Sequence, residues 1–415
     1  MKYWKRLKPE EIKTQVFSAL NNNVDYFNSS TLGVPASHLD QKVFPSEAPF
    51  LKDAPFLYTM IQNPNHIGCH TLGESEHFFA GTHLLEREAI QICAEDIFKG
   101  DPDTIDGYIS SGGTEANIQA LWIYRNYFFN EKAAKESEIV ILCSTDSHYS
   151  MVKGADLLHL DIHLAPVDPI DRTVVQEQLA QDVRQLQKAG KKYFIVVTNM
   201  MTTMFGSVDR PEVYTDLLEE LGLDYFLHID GAYGGFIYPF AQAEDNLLHF
   251  GNPKVSSITM DAHKMVQAPY GTGVFLCRKG LIKQVYNQKA SYVKGLDATL
   301  VGSRSGANAV AVWMIFMAYG YHGWYEKIQI LLLRTNWLCK QLEALGIRFY
   351  RHPSANIVTI DAQTIDHSVA HQFGLVPDDH HNPQWFKIVV MEHVTIDKLE
   401  PFIEQVTRIV PTKNL

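Results

Sequence analysis

Lys264 lies near the end of Ser257-Ile258-Thr259-Met260-Asp261-Ala262-His263-Lys264-Met265, a strand-like run that presents a lysine directly after a histidine. A second strand-like run, His228-Ile229-Asp230-Gly231-Ala232, reaches a carboxylate 34 residues earlier. A lysine amine can condense with an aldehyde and then be displaced by another amine. A carboxylate at the carboxyl end of a strand stands where open α/β sheets bind ligands. There it can pair with a ring nitrogen and keep it protonated, which turns the ring into an electron sink. Taken singly, Lys264 reads as a solvated surface lysine and Asp230 as a turn or helix-capping residue. The glycines Gly231, Gly234 and Gly235, and the segment Pro269-Tyr270-Gly271-Thr272-Gly273 after the lysine, favour close approach of a ligand instead.

A third piece is Ser110-Ser111-Gly112-Gly113-Thr114-Glu115-Ala116-Asn117, a glycine turn feeding a helix. Free backbone N–H groups and the helix dipole suit a phosphate there. His148, in Asp146-Ser147-His148-Tyr149-Ser150, also follows a strand, where an imidazole can stack on a flat ring and act on a substrate proton. An amine, a carboxylate, a phosphate cradle and a stacking imidazole together predict a site for pyridoxal 5'-phosphate and amino-acid chemistry. The remaining histidines, among them His66, His70, His77, His83, His380 and His381, are spaced too loosely to predict a metal site.

The elements that must position these residues alternate. Short apolar runs at Gly107 to Ser111, Ile139 to Ser144, Tyr193 to Thr198, Tyr225 to Asp230, Ser256 to Met260 and Thr272 to Cys277 read as strands. Helical stretches lie at Leu84 to Phe98, Thr114 to Phe129, Val174 to Ala189 and Pro211 to Gly222. This order predicts an α/β fold with a mostly parallel central sheet covered on both faces. Residues 1–50, with one amphipathic helix (Glu10 to Asn22) and then Pro35, Pro45 and Pro49, read as an N-terminal arm. Residues 51–300 read as the large cofactor-binding domain. Residues 301–415 read as a smaller α+β domain: a long helical region broken near Gly320 and Gly323, strands at Asn356 to Asp361 and Phe386 to Met391, and a last helix near Ile396 to Ile409.

With 415 residues, 46% hydrophobic and 20% charged, the composition is that of a folded globular protein and not of a disordered one. A formal charge of -11 with no block of Lys and Arg argues against a nucleic-acid partner. Five scattered cysteines (Cys69, Cys93, Cys143, Cys277, Cys339) without a CxxC pair fit free buried thiols in a reducing compartment. The opening Met1 to Pro9 carries four basic residues but no apolar run follows, so neither a signal peptide nor a membrane span is expected. The expected location is the cytoplasm.

The chain resembles the group II pyridoxal-phosphate-dependent amino-acid decarboxylases, of the fold-type I, aspartate aminotransferase-like class. The resemblance rests on SSGGTEAN at 110–117, DSHYS at 146–150, TTMFGSVD at 202–209, HIDGAYGGF at 228–236, SITMDAHKM at 257–265 and GSRSG at 302–306, in the family's order over about two hundred residues. It implies the covalent cofactor link on Lys264, the pyridine-nitrogen partner at Asp230 and the stacking imidazole at His148, with these three as the catalytic set. It further implies phosphate contacts from Gly113, Thr114 and His263, Ala232 under the ring and Thr203 near the 3-hydroxyl. Gly302 and Ser303 would reach the neighbouring subunit's cofactor, so a homodimer with shared active sites is implied.

The implied activity is α-decarboxylation of an L-amino acid to CO2 and a primary amine. An aromatic or acidic substrate (tyrosine or aspartate type) ranks ahead of histidine or serine. An aminotransferase, an aldehyde-forming deaminating decarboxylase, a carbon–carbon lyase and a catalytically silent scaffold remain alternatives. Two positions depart from the family. Met201 stands where a glycine is usual, and Lys387 precedes Ile388-Val389-Val390-Met391 where some relatives have an arginine. Lysine lacks the planar fork that grips a carboxylate with two bonds.

Overall fold

The structure is a computed structural model, and it describes residues 3–25, 38–67, 76–241, 247–286 and 297–409. Cys69 and His70 lie outside the described residues. Seven strands form the central sheet: β1 (Ile105–Ser110), β2 (Ile139–Ser144), β3 (Asp161–Ala165), β4 (Tyr193–Asn199), β5 (Asp224–Gly231), β6 (Val255–Asp261) and β7 (Gly273–Arg278). Their order is β1-β7-β6-β5-β4-β2-β3. Strands β2 to β6 run parallel, and β7 is antiparallel to both its neighbours, β1 and β6.

The buried strands read as continuous apolar runs because both faces are covered, while their side chains alternate between the two faces. Val140, Leu142, Phe194 and Val196 enter one apolar cluster. Ile139, Ile141, Ile195 and Val197 enter the other. The helices supplying these layers are α1 (Pro9–Asn21), α2 (Pro55–Gln62), α3 (Ala80–Gln91), α4 (Gly113–Lys132), α5 (Ser150–Leu158), α6 (Gln176–Lys188), α7 (Pro211–Glu220), α8 (Tyr238–Ala241) and α9 (Gly306–Ala344). Helices α4 and α5 cover one face through Leu121, Tyr124, Phe128, Met151 and Ala155. Helices α1, α3, α6, α7 and the first half of α9 contribute to the other cluster.

The expected helix over Leu84 to Phe98 begins earlier, at Ala80, and widens into a π-turn at Ile92–Ile97. Helix α9 is broken at Gly320 (φ 63, ψ 173), where a Cβ would stand 2.5 Å from the Arg6 backbone nitrogen. The N-terminal segment is tied there by Leu7 N–H to the Met317 carbonyl (2.8 Å) and Tyr321 N–H to the Trp4 carbonyl (3.2 Å).

A second, antiparallel sheet has the order β10-β11-β9-β8, built from β8 (Phe349–Tyr350), β9 (Ile357–Asp361), β10 (Val376–Pro377) and β11 (Trp385–Val389). It packs with α10 (His367–Gln372), α11 (Ile396–Ile409) and the end of α9 around a separate apolar cluster. Phe205, from the loop after β4, sets its ring edge-on to Tyr350 and Trp385 and so bridges the two sheets.

Register brings the strand ends together. Asn199 pairs with Asp230, Asp230 with Thr259, and Gly273 with both Asp261 and Ser110. Between β5 and β6 the register shifts: Leu227 pairs with Val255 but His228 with Ser257, leaving Ser256 as an extra residue in β6. Before this bulge Val255 packs in the first cluster. After it Ile258 and Met260 do so, while Ser257 turns toward Tyr124 of α4.

Candidate active site

Helix α4 starts at the end of β1, its N-cap Gly112 at φ 142, a conformation that excludes most side chains. No side chain caps this end. A Cβ on Gly113 would come within 2.7 Å of Asp261 Oδ2, so glycine there lets the helix end approach the strand ends. Glu115 accepts from Tyr108 O–H (2.8 Å) and Ser111 N–H (2.6 Å).

Asp230, at the end of β5, is buried. One carboxylate oxygen accepts from Ala232 N–H at 3.1 Å and the other from Asn117 Nδ2 at 3.0 Å. His148 precedes α5 and is half-buried, with Nδ1 2.9 Å from Ser150 Oγ. Burial holds its imidazole below the ordinary histidine value; the Asp230 charge opposes this, and the Lys264 charge adds to it.

β6 delivers Lys264 through a tight π-turn, Ala262–Val266, closed by Gln267 in the left-handed region (φ 58). Lys264 Nζ lies 2.9 Å from Asp261 Oδ2, and the Lys264 side chain keeps 32% of its surface open. Asp261 Oδ1 and His263 Nδ1 are buried and have no hydrogen-bond partner in the protein.

The loop after β4 forms another wall. Asn199 Nδ2 donates to Ser147 Oγ (2.9 Å) and Asp209 Oδ2 (2.7 Å). Burial pushes the Asp209 carboxyl up to about 6, against the Asn199 hydrogen bonds. Met201, where the resemblance implies a glycine, has φ 68 and is buried. Thr203 is exposed, and its carbonyl accepts from Lys387 Nζ at 2.8 Å. Burial, and secondarily the charge of Lys264, lower the Lys387 amine.

These groups line one cleft of about 520 Å³, which takes in Gly113, Thr114, His148, Thr203, Asp230, Ala232, His263 and Lys264 of the expected set. Ser303 does not line it; its Oγ accepts from Asn65 Nδ2 at 3.2 Å, away from the cleft. Asn117, Asn199, Met201, Tyr233 and Asp261 line the cleft without having been given a role in the sequence reading. Asn117 sits in the quoted glycine-turn segment, and only its place one helical turn beyond Gly113 signalled it.

Among the loosely spaced histidines, His66 and His83 do meet, ring centroids 4.1 Å apart, beside Glu86. Glu86 is already committed to Arg304 (2.6 Å) and His66 (2.5 Å), all of them buried. The group is a buried ion-pair network close to the start of α9.

An uncapped helix end, glycines that admit a ligand, and buried unpartnered polar atoms on Asp261 and His263 fit an anionic aromatic aldehyde held between Lys264 and Asp230. A lysine, a strand-end carboxylate and a phosphate cradle at the strand ends of such a sheet define a pyridoxal-phosphate enzyme.

Residues 87–350 match the model of the pyridoxal-dependent decarboxylase conserved domain. The chain is 49% identical over 405 residues to a tryptophan decarboxylase of Clostridium sporogenes, covering 97% of each chain. It is 30% identical to a probable L-tyrosine/L-aspartate decarboxylase of Methanocella arvoryzae, covering 86% of this chain and 95% of the other. In fold it is similar to L-methionine decarboxylase from Streptomyces sp. 590 (TM-score 0.69, 20% identity, 96% of this chain and 93% of that one). The chain belongs to the pyridoxal-dependent decarboxylase family. It is a carboxy-lyase that uses pyridoxal phosphate to remove the carboxyl group of an amino acid.

Proposed function

We propose that the substrate is an aromatic L-amino acid, converted to CO2 and the corresponding arylalkylamine. The wall of the cleft carries this reading. Its open side is made by Tyr149, Leu300 and Val301, and Ile118, Met201 and Tyr233 line it as well. Lys264 is the only lysine or arginine among the described lining residues, against the three carboxylates Glu115, Asp230 and Asp261. An acidic substrate side chain would meet net repulsion there, whereas an indole or phenol ring finds apolar and aromatic surface. The 49% identity to a tryptophan decarboxylase supports the same choice.

In this reading Lys264 is the residue whose amine would hold the cofactor covalently and would be released to let the substrate amine take its place. Gly113, Thr114 and His263 would hold the phosphate, Thr203 would serve the 3-hydroxyl, and Ala232 and His148 would hold the ring from its two faces. Asp230 would keep a proton on the pyridine nitrogen. Bound pyridoxal phosphate supplies the electron sink for the charge left on Cα as CO2 departs. Orientation of the carboxyl group by the cleft wall selects the bond that breaks. Residues 51–300 act as the cofactor-binding part, 301–415 as the smaller part and 1–50 as the arm.

A homodimer with shared sites fits the exposed Leu300 and Val301 at the cleft edge, with Ser303 beyond them. A cytoplasmic location fits the four described cysteines, all free and buried. Among the described residues no helix is long and apolar enough to cross a membrane.

The test is mass-spectrometric detection of amine after incubating the pyridoxal-phosphate-loaded protein separately with L-tryptophan, L-tyrosine, L-phenylalanine, L-aspartate, L-glutamate, L-histidine, L-serine and L-methionine. Tryptamine, tyramine or phenylethylamine that vanishes with Lys264→Ala is expected. Amine from aspartate or histidine alone would overturn the aromatic reading.

A further inference from the structure

Asn117 makes contacts whose donor directions can be assigned without ambiguity. Asp230 Oδ2, 3.0 Å away, accepts only, so the Asn117 atom facing it is the NH2 group. The same nitrogen lies 3.0 Å from Ser150 Oγ, so its two hydrogens serve two acceptors. The amide oxygen then faces His228 Nε2 at 3.0 Å, which must donate. His228 is fully buried, and burial pushes its imidazole down to about 4, so it is neutral near pH 7. Its Nδ1 accepts from Ser257 O–H at 2.6 Å, and Ser257 Oγ in turn accepts from Tyr124 O–H. The chain of bonds therefore runs one way, from Tyr124 through Ser257 and His228 to Asn117.

The other arm reaches His148. Ser150 N–H points at His148 Nδ1 at 3.3 Å, and Ser150 Oγ stands 2.9 Å from the same atom. A ring nitrogen that accepts carries no proton, so neutral His148 has its proton on Nε2.

We infer that Asn117 is a positioning residue of the active site, one amide group whose two hydrogens clamp Asp230 and, through Ser150, hold His148 with its proton on Nε2, while His228 stops the amide from turning over. A turned amide would set oxygen against the Asp230 carboxylate and leave the His228 N–H without a partner. The inference rests on the assignment of Asp230 and His148 to the cofactor.

The experiment uses the full chain freed of cofactor. Pyridoxal phosphate affinity is measured by fluorescence titration, and the histidine tautomers by 15N NMR at pH 8. Wild type is expected to show His148 in the Nε2–H form. Asn117→Leu, with the same branching but without the amide, is expected to lose at least tenfold in affinity. Asn117→Thr, with one donor in place of two, should lose threefold or more and shift the His148 15N resonances. It decides the matter if Asn117→Leu fails to fold. Affinity within twofold of wild type in the folded variants, or His148 in the Nδ1–H form in wild type, would overturn the inference. Asp230→Ala separates the two levels of the argument. If it too binds like wild type, the site assignment fails. If it loses affinity while the Asn117 variants keep theirs, only the positioning role fails.

Discussion

Lys264 and Asp261 sit three residues apart in sequence and 2.9 Å apart in space, so the amine proposed to carry the cofactor is held by a carboxylate from its own strand. Lys264→Ala is expected to reduce amine formation by three orders of magnitude or more, because no other lysine or arginine among the described residues lines the cleft. A discontinuous amine assay is sensitive enough to check this. Met201 offers a subtler case. A non-glycine residue at φ 68 stores on the order of 1 kcal/mol of backbone strain, while its buried side chain contributes roughly 2 kcal/mol of apolar burial. Met201→Gly is therefore expected to be slightly less stable than wild type. It also removes a side chain from the cleft wall, so the ratio of kcat/KM for tryptophan to that for phenylalanine should rise; an unchanged ratio would remove Met201 from the specificity wall. At this scale the sequence was informative where chemistry is unusual. Lys264, Asp230, His148 and the glycine turn stand out by residue type and place. Asn117 and Asp261 do not, because their roles depend on hydrogen-bond directions that exist only once four strands lie side by side.

The central strands were readable as elements because burial on both faces demands unbroken apolar runs, and β2, β4, β5 and β6 lie within two residues of their expected bounds. Strand β3 escaped, since Asp161-Ile162-His163-Leu164-Ala165 is a half-exposed edge strand whose polar residues mask the pattern. Helices α2 and α5 were also missed; each is no longer than nine residues, too short to display a clear period. The break in α9 was legible from its glycines, and the structure gives Gly320 a definite task. Gly320→Ala must adopt φ 63 and drive a Cβ into the Arg6 backbone. A loss of about 2 kcal/mol or more is expected, with release of the Trp4 segment seen as a change in tryptophan fluorescence ahead of global melting. Simultaneous loss of both signals would show that the segment is not a separately releasable unit.

Across the whole molecule the buried histidines set the response to acid. His228 and His352 are each pushed down to about 4 by burial, and His66 and His83 are lowered by the same cause. A group whose folded value lies below its unfolded value binds its proton more readily when unfolded. Stability is therefore complete above the ordinary histidine value of 6.5 and declines as pH falls from there toward 4. His228 alone contributes on the order of 3 kcal/mol to that decline by pH 4. Asp209, raised to about 6, works in the opposite sense and is outnumbered. The Tm is expected to fall steadily from pH 7 to pH 4.5 in calorimetry, and His228→Gln should flatten the slope. An equal slope in that variant would exclude His228 as a main source. Sequence alone did not reveal this, because a histidine's burial follows from the packing of the whole sheet.

The extra residue in β6 decides which single loss the strand can absorb. Ser256 re-phases the strand, so that Ser257, and with it the alternation leading to Asp261, faces helix α4 and the cleft. Deleting that serine would remove only the unpaired residue, leaving Val255 and Ser257 as neighbours opposite Leu227 and His228 and keeping Ser257 and Asp261 on the face they already occupy. Such a chain is expected to keep Asp261 and Lys264 on the cleft side and to take up pyridoxal phosphate, one bead lost from the string without turning any of its letters.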